Sequence, residues 1–112
     1  MNTTTIGNQA ESIVKTWLEH KGYTIVDRNW KTRWCEIDIV ATKKKIVYFV
    51  EVRHRRSSLW GDGIDSVTSK KHKQIEFAAN FWIHQKNWQD DARILIVATG
   101  GNPPQVTSAI EL

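Results

Sequence analysis

Asp38, Glu51 and Arg53 are the residues whose types and spacing suggest chemistry in this 112-residue sequence. Twelve residues separate the two acids, and each acid follows an apolar segment, Asp38 after Ile37 and Glu51 after Val47-Tyr48-Phe49-Val50. Side chains two apart on a strand point the same way, so Arg53 should share a face with Glu51. Asp38 can face them from the neighbouring strand. Carboxylates near the end of a central strand lose hydration, and two of one sign repel. A divalent cation removes both penalties. Magnesium takes oxygen ligands at about 2.1 Å, commonly one or two carboxylates with waters and phosphate oxygens. The Val52 carbonyl is a further candidate ligand. Such an ion polarises a scissile phosphate and activates water. The same acids could equally be ion-pair partners of Arg53 or Arg55 and nothing more; spacing alone leaves both readings open.

The elements that must position these residues are readable from periodicity. Ala10, Ile13, Val14, Trp17 and Leu18 fall at i, i+3, i+4, i+7 and i+8 and predict a helix over 7–21. Asn8 is the expected N-cap and Gly22 the residue after the C-terminus. Strands are expected at 23–28 and 34–41, the second with Glu36, Asp38 and Val40 on one face and Cys35, Ile37 and Ile39 on the other. Residues 46–53 are nearly all apolar before Glu51, the pattern of a central strand covered on both faces. A hairpin turn is expected around 42–45. A loop over 57–66 leads to a helix capped by Ser66 or Thr68 and running to about residue 86. Its core face is Ile75, Ala78, Ala79, Trp82 and Ile83. A strand at 93–98, a turn at 100–104 and an edge strand at 105–110 complete the order. Helices on a sheet are the natural way to bury these faces.

Length and composition fit a single domain over 1–112, with 40% hydrophobic and 25% charged residues. The single cysteine, Cys35, cannot form an internal disulfide and is read as a half-buried apolar residue. Apolar runs at 46–50 and 94–98 are far short of a membrane span, and the first eight residues lack a signal pattern, so no membrane association and a cytoplasmic location are expected.

The net charge of +4 is modest, but its distribution is not even. Between residues 41 and 73 nine Lys/Arg stand against three acids, clustered at 43–45, 53–56 and 70–73. Clustered cations neutralise phosphates. The lysine triplet 43–45 is better read as a solvated turn. Arg55, Arg56, Lys70, Lys71 and Lys73 are the candidate nucleic-acid-binding residues. The three lysines open a helix, where cations oppose the helix dipole and a phosphate would offset the conflict. Trp30, Trp34 and Trp60 lie in or beside loops near these residues. Each could stack on a base, although core packing is the expected use for at least two of them.

The combination of motifs resembles the YraN-like family of bacterial proteins. The matching residues are Gly7 and Glu11, Arg28-Asn29-Trp30, Glu36-Ile37-Asp38, Phe49-Val50-Glu51-Val52-Arg53 with Arg55, Gly61, and Val67 with Lys71. The resemblance runs from about residue 7 to 98. It implies an α/β restriction-endonuclease-like three-layer sandwich, with a central mixed sheet of four to five strands flanked by helices. It also implies a PD-(D/E)xK site in which Asp38 and Glu51 bind magnesium or manganese. Glu11 would reach the same site from the first helix and hold a water on the ion, and Glu36 is a second-tier ligand or a partner of Arg28 or Arg33. Three departures are visible. Cys35 replaces a glycine. Arg93-Ile94-Leu95-Ile96 replaces a segment carrying an aspartate. Arg53 replaces the motif lysine; an arginine stays protonated and cannot act as a base, yet can still stabilise charge on a phosphate.

Two functions are therefore expected as alternatives. One is a divalent-metal-dependent nuclease cutting structured or branched DNA, with Glu11, Asp38, Glu51 and Arg53 in the catalytic site. The other is a non-catalytic nucleic-acid-binding accessory protein on the same scaffold. The expected partner is nucleic acid, DNA before RNA, and a homodimer is compatible with either.

Overall fold

The fold is described by a computed structural model covering residues 3–55 and 68–112, residues 3–5 as backbone alone. Its order is α1 (Thr3–His20), β1 (Thr24–Lys31), β2 (Glu36–Lys43), β3 (Ile46–Arg55), α2 (Ser69–Lys86), β4 (Asp91–Gly100) and β5 (Gln105–Glu111). Five strands form one mixed sheet in the order β1-β2-β3-β4-β5. Only β3 and β4 run parallel, and α2 is the crossover that parallel neighbours require. The other three neighbouring pairs are antiparallel.

Among the described residues, each face of the sheet is covered by one helix, which makes a three-layer sandwich. On one side Val14 and Leu18 of α1 pack with Ile39, Ala41, Val50, Leu95 and Val97. On the other, Ala78, Ala79 and Trp82 of α2 pack with Ile37, Val40, Val47 and Phe49. The Phe49 and Trp82 rings meet edge to face at 5.5 Å. Strand β3 sits in the middle and sends alternate residues to the two layers, so its apolar run serves both cores.

The local signals act as their chemistry dictates. Gly22, at φ 93°, ends α1, and Tyr23 N–H donates to the Leu18 carbonyl at 3.1 Å. Thr68 caps α2, its hydroxyl accepting from Lys71 N–H at 3.2 Å. Lys44 and Lys45, at φ 52° and 63°, form the two-residue turn between β2 and β3 that the strand twist favours.

Three expectations change. Helix α1 begins at Thr3, which puts Asn8 inside it rather than at its cap; the added turn lies upstream of the first core-facing residue, where apolar periodicity gives no signal. Strand β1 continues to Lys31 because its pairing with β2 persists to Lys31↔Glu36. The strict alternation expected over residues 35–40 is also lost. Ile37 joins Val40 in the α2 layer, while Ile39 faces α1. The break falls where β2 stops pairing with β3. The expected loop over 57–66, with Trp60, Gly61 and Ser66, as well as Arg56 and Val67, lie outside the described residues.

Candidate functional site

Strands β2 and β3 pair from Lys43↔Ile46 to Ile39↔Val50, and there the ladder ends. Just beyond it the Val52 N–H donates to Asp38 Oδ2 at 2.8 Å. A side-chain carboxylate thus takes the place of a ladder carbonyl. The buried peptide N–H is satisfied, and Asp38 is fixed beside the end of β3 that carries Glu51.

This position is electrostatically tense. Burial pushes the Asp38 carboxyl up to about 7, and the neighbouring Glu51 adds to the rise. The Val52 N–H works against it. Glu11 and a hydrogen bond shared with Glu51 raise it further. Asp38 therefore holds its proton far more readily than an ordinary aspartate.

Glu11 comes from a third element, α1. Its Oε1 is buried and has no hydrogen-bond partner among the described residues. Burial raises its pKa, while Arg28 and the Asn29 amide oppose the rise, and Glu36 and Glu51 add to it. Here the Arg28-Asn29 pair acquires a physical meaning. Arg28 is anchored to α1 by a 2.7 Å bond from Nη2 to Ser12 Oγ. Asn29 adopts φ 53°, a conformation asparagine tolerates well, and its amide helps to hold down the Glu11 pKa. The Arg28 charge thus acts on Glu11. Glu36 lies 3.9 Å from Lys31 in a pair about two-thirds exposed on both sides.

Lys71 is the residue whose place the sequence did not reveal. Expected among the phosphate contacts, its Nζ lies 3.2 Å from Glu51 Oε1, with the Glu51 side chain only 13% exposed and that of Lys71 32%. The first turn of α2 contains no acid. Glu51, from β3, supplies the negative charge at that helix start. The available signal was the spacing of Lys71 four residues before Ile75, which puts both on the sheet-facing side of α2. Lys70 and Lys73 are exposed on the same helix. Arg53 follows Glu51 on β3 opposite Ala98, and Arg55 lies opposite Gly100; both are engaged in further interactions.

The donor set is three carboxylates from α1, β2 and β3, hard oxygen ligands of the type magnesium and manganese take. Among the described residues, no three His, Cys, Asp or Glu side chains are grouped tightly enough to chelate an ion by themselves. The Asp38–Glu51 pair supplies the one or two carboxylates that magnesium usually draws from protein. Glu11, with its orphaned oxygen, stands within electrostatic reach of both. Glu51 and Lys71 open into a cavity of about 390 Å³ also lined by Trp34, Glu36, Gln74 and Phe77. No helix among the described residues is long and apolar enough to cross a membrane.

Residues 10–99 match the model of the Uncharacterised protein family UPF0102. A UPF0102 protein of Fusobacterium nucleatum is 38% identical over 90 residues, covering 80% of this chain and 76% of the relative. A UPF0102 protein of Geobacter metallireducens is 35% identical over 109 residues, 95% of this chain and 89% of the relative. The UPF0102 protein YraN of Salmonella arizonae is 35% identical over 99 residues, 86% and 76% of the two chains.

Proposed function

Since this chain belongs to the UPF0102 family, we infer from its site that it is a divalent-metal-dependent phosphodiesterase acting on nucleic acid, DNA before RNA. One observation carries the reading: where β2 leaves β3, the Val52 N–H holds Asp38 Oδ2 at 2.8 Å beside the end of β3 that carries Glu51, with Glu11 of α1 within electrostatic reach. A fold gains nothing in stability from burying three acids together. Asp38 and Glu51 would hold magnesium or manganese, with Glu11 completing the site. Bound there, the ion supplies electrophilic activation of a phosphodiester and of the attacking water.

The chain's own groups have distinct tasks. Val52 N–H holds Asp38 Oδ2 in place, so one carboxylate is oriented before any ligand arrives. Arg28, anchored on Ser12, and Asn29 favour the ionised form of Glu11 against its burial. Arg53 keeps its charge at every working pH and would stabilise the negative charge that grows on the phosphate. Lys71 offers an ammonium beside Glu51, close enough to neutralise a phosphate oxygen entering the cavity. Lys70 and Lys73, with Arg55 and Arg56, would hold the flanking backbone. The location this implies is the cytoplasm.

The test is cleavage of end-labelled DNA and RNA, single-stranded, duplex and branched, with magnesium or manganese. Cleavage by the wild type, abolished by chelator and by Asp38→Ala or Glu51→Ala, is the expected result. A non-catalytic nucleic-acid-binding module is the second reading, favoured by the Lys71–Glu51 pair, which neutralises one carboxylate without an ion. Salt-sensitive binding without cleavage, unchanged by Asp38→Asn, would establish it instead.

A further inference from the structure

Six large hydrophobic side chains are exposed among the described residues, and the two most exposed, Trp34 at 66% and Phe77 at 53%, line the same cavity as Glu51 and Lys71. The exposure of Trp34 is built. Thr32 Oγ1 accepts from Trp34 N–H at 3.1 Å and from Cys35 N–H at 3.2 Å, and Thr32 N–H donates to the Cys35 carbonyl at 2.9 Å. This short turn between β1 and β2 holds the indole out over α2. Phe81 lies between the two exposed rings, 5.9 Å from Trp34 and 6.3 Å from Phe77, and also 5.9 Å from Trp30. The result is a row of aromatic rings along α2 and the β1–β2 turn, reaching the cavity that Glu51 and Lys71 line.

We propose that this row is a stacking platform for an unpaired nucleobase, so that the substrate is a nucleic acid with unstacked nucleotides beside the bond to be cut. The inference rests on the phosphodiesterase reading above and names its substrate class. Within a duplex both faces of a base are covered by its neighbours, so exposed rings can engage only a base that has left the stack. Aromatic faces take any base, and the contact is tolerant of sequence. Gln74, in the same cavity, carries both a donor and an acceptor for a base edge.

Charge selects nucleic acid over an apolar partner. The Arg33 guanidinium lies 5.5 Å from the centre of the Trp34 ring, Lys71 stands inside the cavity, and Lys70 and Lys73 are exposed on the same helix. A protein surface closing over the rings would have to desolvate the Lys71–Glu51 pair, which a phosphate can complement instead. A strand whose base rests on Trp34 or Phe77 places its phosphate at the Lys71 end of the cavity.

The experiment is fluorescence anisotropy of the full chain with a short labelled single-stranded oligonucleotide and with a blunt duplex of the same sequence, in chelator so that no cleavage intervenes. Wild type should bind the single strand more tightly. Trp34→Ala and Phe77→Ala should each weaken that binding roughly tenfold and leave duplex binding unchanged, with Trp34→Phe restoring most of the loss. Thermal melts check that the variants are folded. Equal affinity for both forms, or single-strand binding indifferent to both alanine variants, overturns the platform while leaving the phosphodiesterase reading to its own cleavage test. Absence of binding to either form at low salt overturns the platform as well.

Discussion

The two ends of the β2–β3 pair are built on opposite principles. From Ile39↔Val50 to the Lys44-Lys45 turn, the strands pair residue for residue, and Val40, Ala41, Val47, Phe49 and Val50 are almost wholly buried. Beyond Ile39 the ladder gives way, a carboxylate takes the place of a carbonyl, and Asp38 stands beside Glu51 with Glu11 within electrostatic reach. Apolar burial stabilises the first end and lets the second be unfavourable in isolation. The contrast teaches where to look for function in a small sandwich: at the place where the sheet stops obeying its own pairing.

The largest expected effect separates the two ends by stability. Phe49→Ala, in the paired region against Trp82, should lower unfolding free energy by about 3–5 kcal/mol, measured by denaturant titration. Its destabilisation should be nearly independent of pH, because no titrating group is removed.

Asp38→Asn should have the opposite sign. With its carboxyl pushed up to about 7, the native state binds more protons than the unfolded chain between the ordinary carboxylate range and pH 7. Stability falls as pH rises through that window, and the loss is complete above about 7. Asparagine keeps an acceptor for Val52 N–H and carries no charge. The variant should therefore exceed wild type by on the order of 2 kcal/mol at pH 8, and the difference should shrink toward pH 4. A variant less stable than wild type at pH 8 would mean that the ionised form is compensated within the fold.

Lys71→Met should be smaller, a loss of about 1 kcal/mol at pH 8, since the pair is only partly buried. The smallest effect belongs to the exposed Lys31–Glu36 pair. Glu36→Ala should stay within about 0.5 kcal/mol of wild type; a larger loss of stability or of metal binding would bring Glu36 into the site.

The same contrast explains what the sequence could reveal. The paired region is regular, and regular structure writes itself as periodicity. Ile75, Ala78, Ala79 and Trp82 predict the buried face of α2, Thr68 its cap, and 46–53 the central strand. At the other end, Asp38 and Glu51 were visible as misplaced charges. Their relation to Val52 N–H was not, because it depends on the strand pairing being broken. Lys71 was counted with its lysine neighbours because its charge outweighed its position, four residues before Ile75 on the face of α2 that packs on the sheet. The platform was half legible: Trp34 stood out beside a turn, but Phe77 reads as one more residue of a polar helix face until the β1–β2 turn is laid beside it.

The central claim is that the tension at the open end is relieved by a divalent cation. Calorimetric titration of manganese into wild type and Asp38→Asn, at pH 7.5 and with uncleavable DNA present to supply phosphate, tests it most directly. The account predicts saturable binding by the wild type and its loss in the variant. Equal binding by both proteins, or none by either, would contradict it and leave the three carboxylates as ion-pair partners of the cations around them.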